Sequence, residues 1–255
     1  MVCFTLTELT ASARHPDFIG SFQLELMPEL LKQPEIAWTE RWVRSPDCAA
    51  VSGRCTAELA TVQYAELTVY HPPADASMRV HRETCERIGQ LGFGPDPASI
   101  REAVREYFVP LKGYVLPRVL IAEEVLPFRP ARGIYAILSR FHGHGASAEA
   151  AFRWYDEIRI PDLLSCGGAA GAWSMASAAL FRPDRDLSMP ALRLVLLWLD
   201  EDPVAFATAS KARAVEWREN GRMPNTSDVE EVLFEGPLRT IVPWEWGWFD
   251  AVRPS

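Results

Sequence analysis

Five side chains in the second half of the chain combine residue types that can move protons. The segment FHGHG follows a predicted strand and carries two imidazoles, His142 and His144, which titrate near neutral pH. The nearby segment WYDEIR supplies a phenol, a carboxylate and a guanidinium in Tyr155, Asp156 and Arg159. A histidine can act as general base while a phenol or guanidinium binds a developing oxyanion. These five residues are therefore the predicted catalytic set.

Each of these residues also has a non-catalytic interpretation. His142 and His144 could be surface histidines of a solvated loop. Asp156 could belong to a solvated helix face beside an ordinary ion pair between Arg153 and Glu157. The two histidines supply two metal ligands and no third is identifiable, although Asp156 or Glu157 could reach them, and we predict no metal site.

Aromatic residues are the second candidate feature, because the chain contains nine tryptophans. Indole and phenol rings suit either a core or a pocket for a flat apolar ligand. In WEWGWF the indoles alternate and would face one side of a strand. The predicted substrate-binding residues are Trp173, Trp198, Tyr135, Trp244, Trp246 and His71.

Composition and missing motifs exclude several classes of function. The net charge of −8 argues against nucleic acid or an anionic membrane as partner. No run of 18 apolar residues and no signal-peptide pattern occurs, and the five scattered cysteines suggest reduced thiols, so we expect a cytoplasmic protein. No phosphate-binding glycine loop, dinucleotide fingerprint or GxSxG elbow is present, so we predict no cofactor.

The chain contains two copies of one pattern. Pro28 and Pro161 are both followed by an acidic residue and two leucines, and each proline removes an N–H and predicts a kinked helix. The same shift superimposes the strand-like segments VCFTLTEL and YAILSRFH. With slightly smaller shifts, TVQYAELTVYHPP matches LRLVLLWLDEDP, and VPLKGYV matches GPLRTIV. We predict two repeats, residues 1–128 and 133–255.

Each repeat reads as strand, helix, strand, strand, helix, strand. In the second repeat we predict strands at 133–140, 172–176 and 192–199, helices at 148–164 and 203–220, and a last strand near 240–246. This βαββαβ order is the ferredoxin-like arrangement, an antiparallel sheet with helices on one face. The predicted fold class is therefore α+β, with two ferredoxin-like repeats whose antiparallel sheets pack together into an α/β barrel. A homodimer is one option, and the tandem repeat could instead complete a barrel as a monomer.

The second repeat resembles the dimeric α/β-barrel superfamily and, within it, the EthD-like proteins. The resemblance is carried by WYDEIRIPDLL, followed by a turn of small residues. Relatives often have an acidic residue and a histidine where this chain has Ile158 and Arg159, so the role of that histidine is not carried over. The first repeat keeps Pro28 with its acid-Leu-Leu, but has Phe22-Gln23-Leu24 in place of Tyr-Asp-Glu.

The resemblance implies a small-molecule enzyme with an apolar pocket between sheet and helices. By that resemblance we expect cofactor-independent acid–base chemistry, of the cyclase, isomerase, dehydratase or lyase type, on an aromatic or otherwise apolar metabolite. Two alternatives stay open. One is a non-catalytic protein that binds a hydrophobic metabolite, and the other is a heme-dependent member of the same superfamily.

Overall fold

The strand and helix order predicted for a repeat occurs twice in the computed structural model, which describes residues 1–10, 14–92, 94–142, 146–181 and 191–241. The strands are β1 Val2–Leu9, β2 Ile36–Val43, β3 Tyr64–Tyr70, β4 Ile100–Val115, β5 Gly133–Phe141, β6 Ala169–Ser177, β7 Ala191–Leu199 and β8 Glu230–Thr240. The α-helices are α1 His15–Gly20, α2 Met27–Leu31, α3 Pro46–Ala50, α4 Ala74–Gln90, α5 Ala146–Trp154, α6 Ile160–Leu164 and α7 Pro203–Glu219. Short 3₁₀ segments lie at Ala57–Leu59, Pro97–Ser99, Pro117–Val119, Glu123–Phe128 and Ala178–Phe181.

The described residues form two compact units. The first unit contains residues 1–43 and 61–107 together with Ile241, and the second contains residues 44–60 and 108–240. The division into sequence repeats between residues 128 and 133 stays a prediction. None of the described helices is long and apolar enough to cross a lipid bilayer.

The first unit is built on an antiparallel sheet with β3 between β1 and β2. Val2 pairs with Val69 and Thr39 pairs with Thr68. Helix α4 follows β3, in the place of the second helix of the predicted βαββαβ order. Phe18, Ile19 and Tyr64 form part of a buried cluster in this unit.

The second unit has the strand order β8-β5-β7-β6, all antiparallel, with the Phe108–Val115 part of β4 beside β6. This order is the one that a ferredoxin-like βαββαβ unit adopts. Strand β7 is buried along its last seven residues, as the nearly continuous apolar run LRLVLLWL predicts. The predicted last strand near 240–246 corresponds to β8, which is placed earlier, and residues from 242 onward lie outside the described residues.

One face of the second sheet packs against helices. Because side chains alternate along a strand, Tyr135, Ile137 and Phe141 of β5 share this face, as the period-two pattern predicts. They form a buried cluster with side chains of α6 and α7, including Leu163 and Phe206.

The kink predicted at the repeated prolines is a π-helical turn in each unit. In the second unit the turn Tyr155–Arg159 separates α5 from α6, and the Ile160 N–H donates to the Tyr155 carbonyl. In the first unit the turn Ser21–Leu26 separates α1 from α2, and the N–H of Met27 donates to the carbonyl of Phe22. Such π-bulges are rare and often occur at functional sites. The same irregularity at matching positions supports the internal duplication.

Candidate active site

A cavity of about 500 Å³ lies in the second unit, on the helix-covered face of the sheet. Its wall is formed by β5, β8, the π-turn, α7, the loop 223–227 and the segment 52–54. Three of the predicted site residues, Tyr135, Tyr155 and Arg159, line it together. Two carboxylates that the sequence did not single out, Glu230 and Glu235, line it as well.

A β-bulge in β8 brings the two carboxylates to one face. Glu235 lies five positions after Glu230, so a regular strand would direct the two side chains to opposite faces. In the structure Leu138 pairs with Phe234 but Ser139 pairs with Val232, which leaves Leu233 as an extra residue. The bulge shifts the alternation by one, and both glutamates face the cavity.

Glu235 is bound by two of the predicted site residues. Its Oε1 accepts hydrogen bonds from the Tyr135 hydroxyl at 3.0 Å and from Arg159 Nη2 at 2.8 Å. No described residue donates a hydrogen bond to Oε2 of the same carboxylate, which lies next to Gly53. One oxygen of Glu235 is therefore held in place, while the other accepts no hydrogen bond from the described residues.

Glu230 forms the second carboxylate pair. The Tyr155 hydroxyl donates to Oε1 at 2.5 Å, and the Thr226 hydroxyl donates to Oε2 at 2.7 Å. Glu230 is buried, and both of its oxygens accept hydrogen bonds from the wall of the cavity. It is thus the more constrained of the two carboxylates.

Burial keeps both tyrosine hydroxyls protonated. Burial, and after it the charge of Glu235, raises the pKa of Tyr135 well above its usual range. Burial, and after it the charge of Glu230, raises the pKa of Tyr155 in the same direction. Both groups are therefore hydrogen-bond donors throughout the physiological pH range.

Arg159 has one amino group that lacks a partner. The residue is 8% exposed, and its guanidinium carbon lies 5.5 Å from the centre of the Trp217 ring. Nη2 donates to Glu235, but Nη1 is buried and donates to no described residue. A buried donor without an acceptor costs free energy unless a ligand oxygen or a water molecule completes it.

Asp156 belongs to a neighbouring ion pair and does not line the cavity. Arg193 of β7 is 2% exposed, and its Nη2 donates to Asp156 Oδ1 at 2.5 Å and to the Ser174 hydroxyl at 2.7 Å. The guanidinium also lies 4.9 Å from the ring centre of Phe152 and 4.6 Å from that of Tyr155. This contact packs Arg193 directly behind the phenol that lines the cavity.

The other predicted residues are not part of this wall. His142 follows β5 and is exposed, with Nε2 3.8 Å from Glu231 Oε2. Trp173 and Trp198 contact each other with ring centres 5.3 Å apart, on the sheet face opposite to Tyr135. His71 is exposed after β3 in the first unit. The remaining three predicted residues, His144, Trp244 and Trp246, lie outside the described residues.

Structural neighbours share this fold at very low sequence identity. The dye-decolorizing peroxidase of Bacteroides thetaiotaomicron is 8% identical, with a TM-score of 0.51 over 98% of this chain and 93% of that chain. A protein suggested to be a chlorite dismutase is 11% identical, with a TM-score of 0.52 over 99% and 98%. A variant of DypB from Rhodococcus jostii in complex with heme is 9% identical, with a TM-score of 0.51 over 94% and 93%.

These neighbours have the dimeric α/β-barrel fold, so the predicted α+β barrel class is confirmed. The likeness at this level of identity concerns the fold alone. No family model matches the sequence, and no curated protein matches it either. The EthD-like resemblance therefore stays a prediction.

The cavity wall does not fit a heme. Heme iron is held by histidine, cysteine, tyrosine, or methionine paired with histidine. The described residues lining the cavity include no histidine or cysteine, and the hydroxyls of Tyr135 and Tyr155 already donate to carboxylates. Within the described part of the chain, no cluster of three or more His, Cys, Asp or Glu side chains could hold a metal ion.

Proposed function

We propose that this chain is a small-molecule enzyme that transfers protons, without a cofactor, on an aromatic or otherwise apolar metabolite bound in the cavity. The observation that carries the proposal is the environment of Glu235. Its Oε1 is fixed by Tyr135 and Arg159, while its Oε2 has no donor among the described residues. A fixed carboxylate with one open oxygen suits a general base.

The proposed reaction begins with a substrate that carries a C–H bond next to a carbonyl group. Glu235 Oε2 takes the proton, and the electron pair of the C–H bond moves to the carbonyl oxygen to form an enolate. The unpartnered Nη1 of Arg159 donates a hydrogen bond to that oxygen. Where the substrate also has a C=C bond next to the deprotonated carbon, the enolate takes the proton back from Glu235 at the far carbon of that bond, which is an isomerisation. Alternatively it expels a leaving group from the adjacent carbon, which is an elimination.

The tyrosines position the carboxylates in this scheme. Tyr135 holds Glu235 and Tyr155 holds Glu230, and both hydroxyls stay protonated because their pKa values are raised. The resemblance to the α/β-barrel superfamily supports a reaction of the isomerase or lyase type. The apolar side chains of Val232, Ala214 and Met223 in the wall support an apolar body for the substrate.

Hydrogen–deuterium exchange in D2O tests the proposal with defined probes. The probes are 1-tetralone, 4-acetylbenzoate and 4-acetylbenzamide, which all have hydrogens next to a carbonyl, and deuterium uptake is read by mass spectrometry. We expect catalysed exchange in at least one probe, and a loss of about 10²–10⁴-fold in Glu235→Gln. Glu216→Gln, an exposed carboxylate on α7, is the matched control and should exchange at the wild-type rate.

Two other outcomes would point to the alternatives. Tight binding of a probe without exchange would favour a non-catalytic binding protein. Loss of exchange in His142→Ala or His144→Ala, with full activity in Glu235→Gln, would assign the base to a histidine. That result would overturn the role proposed for Glu235.

A further inference from the structure

We infer that the substrate of this cavity is an anion, an aromatic carbonyl compound that also carries a carboxylate. The inference rests on the proposed function, since it names the substrate class for the same site. The charge of the wall is the first observation that supports it. Four cationic and two anionic side chains line the cavity, and they are Arg54, Arg159, Lys211, Arg218, Glu230 and Glu235.

This local excess of positive charge runs against the composition of the chain. The whole protein has 34 acidic and 26 basic residues, which gives a net charge of −8. The acidic surface repels anions, but its effect is screened by salt beyond about 10 Å. Close to the cavity, the local positive charge therefore dominates and attracts anions. The net charge of the cavity lining is therefore opposite in sign to the net charge of the whole protein.

The two carboxylates are already engaged by the wall. Glu230 accepts from two hydroxyls, and Glu235 accepts from Tyr135 and Arg159. Among the described residues, neither Arg54 nor Arg218 forms an ion pair, and both are exposed. The cations at the rim are thus not neutralised by acidic residues of the wall.

Arg159 supplies a second observation, which concerns the carbonyl group of the substrate. It is more than nine-tenths buried, and its Nη1 has no acceptor among the described residues. An oxygen of the ligand would complete this donor. The substrate then has two oxygen-bearing groups, with its reacting carbonyl at the buried Arg159 and its permanent negative charge at Arg54, Lys211 and Arg218.

Lys211 is already oriented at the rim. Its Nζ donates to the carbonyl of Ser52 at 2.8 Å, which ties α7 to the segment that precedes Arg54. An ammonium has three donors, so this contact leaves two for a ligand. Arg213 lies two residues further along α7 and bonds instead to the Ser165 carbonyl at 2.9 Å, away from the cavity lining.

Equilibrium binding of a matched pair of probes tests the inference. 4-Acetylbenzoate and 4-acetylbenzamide share their shape and differ in charge, and calorimetry measures both dissociation constants at low and high salt. We expect the acid to bind about tenfold more tightly at low salt, with the difference shrinking as salt is added. Equal affinities, or no binding of either probe, would overturn the inference.

Two sets of variants locate the effect. The double variant Arg54→Gln/Arg218→Gln removes exposed side chains and should lose most of the preference for the acid. Arg213→Gln should keep it, because this arginine has a similar exposed position on α7 but does not line the cavity. If the double variant and Arg213→Gln lose the preference for the acid equally, the preference comes from the overall charge of the protein. That result would contradict the inference.

Glu235→Gln separates this inference from the proposed function. The substitution removes one negative charge from the cavity, so it should strengthen binding of 4-acetylbenzoate while abolishing exchange. If exchange persists but the acid is preferred, the proposed base is wrong and the anion site stands. If exchange is lost but the two probes bind equally, the base stands and the anion site is wrong.

Discussion

Glu230 and Glu235 face the same cavity although they are an odd number of positions apart, because Leu233 is inserted as a β-bulge between them. Each glutamate accepts a hydrogen bond from a tyrosine of a different element, Tyr155 of the π-turn and Tyr135 of β5. Two local irregularities, a bulge and a π-turn, therefore meet at one site. Both kinds of irregularity are known to re-aim side chains at functional sites.

Gly53 leaves room for the side chain of Glu235, and its replacement tests that fit. A Cβ at this position would lie 2.8 Å from Glu235 Oε2 and 3.0 Å from its Cγ and Cδ. We expect Gly53→Ala to displace the carboxylate and to reduce deuterium exchange strongly, while the circular dichroism spectrum is unchanged. Misplacing a catalytic group by about 1 Å can cost about 10²-fold in rate.

Gly89→Ala is the control for this variant. Nothing lies within 4 Å of a Cβ at Gly89, which is in helix α4 of the first unit. Alanine is favoured over glycine in helices by about 1 kcal/mol, so this variant should be at least as stable as the wild type and fully active. Full activity in Gly53→Ala would show that Glu235 is not held where the mechanism needs it.

Titration of the phenols tests the environment of the two tyrosines at the cavity. The protein has six tyrosines, and burial raises the pKa of all of them, namely Tyr64, Tyr70, Tyr107, Tyr114, Tyr135 and Tyr155. At pH 10 an unfolded chain would have about half of its phenols ionised. We expect much less phenolate absorbance from the native protein at that pH than from the chain unfolded in urea.

The same shifts set the direction of the alkaline pH dependence of stability. Above pH 10 the phenols of the unfolded chain ionise, while the buried phenols of the folded protein stay protonated. Ionisation therefore stabilises the unfolded state, so the stability that is complete below pH 10 is lost as the pH rises above it. The free energy of unfolding, from denaturant titrations, should therefore fall above about pH 10. The fall should be shallower in Tyr135→Phe and in Tyr155→Phe, and an unchanged slope in both would contradict the buried environment of these phenols.

The order of elements could be predicted from the sequence because its signals are local. Pro28 and Pro161 with their acid-Leu-Leu mark a kinked helix in each half of the sequence, and the apolar run at residues 192–199 marks a buried strand. These patterns depend on residues that are close together in the sequence. The structure has both features, and it also brings Tyr155 and Arg159 to the same cavity as Tyr135.

The carboxylates could not be predicted, because their placement depends on non-local pairing. The bulge at Leu233 is defined only by the register of β8 against β5. Arg193 presents a similar difficulty, since it stands in the apolar run LRLVLLWL and its counter-charge, Asp156, comes from a different element. A lone charge in a buried strand is nevertheless a signal that could have prompted a search for a partner carboxylate.

Asp156 should matter for stability, because it neutralises a buried arginine. We expect Asp156→Asn to lower the free energy of unfolding by about 3 kcal/mol, since Arg193 would keep its charge without a counter-ion. Glu157→Gln, at the exposed neighbouring position, should change stability by no more than about 0.5 kcal/mol. Urea titrations of the three proteins make the comparison.

A double variant distinguishes this charge effect from a loss of packing. In Asp156→Asn/Arg193→Met the buried charge is gone, and the methionine can still pack between Phe152 and Tyr155. Replacing a buried ion pair by apolar side chains is often neutral, so most of the lost stability should return. If the double variant is as unstable as Asp156→Asn, the unpaired charge is not the cause.

Glu40 of β2 gives the first unit its own pH dependence. Burial raises the pKa of this carboxyl to about 7, and a hydrogen bond from Trp38 only partly opposes the shift. Because the pKa in the folded state lies above the unfolded value of 4.5, the stabilising contribution is complete below pH 4.5 and is lost as the pH rises to about 7. Glu40→Gln should therefore be more stable than the wild type at pH 8, on the order of 2 kcal/mol. The difference should vanish near pH 4 in denaturant titrations, and a constant difference across this range would show that Glu40 does not titrate in the folded protein.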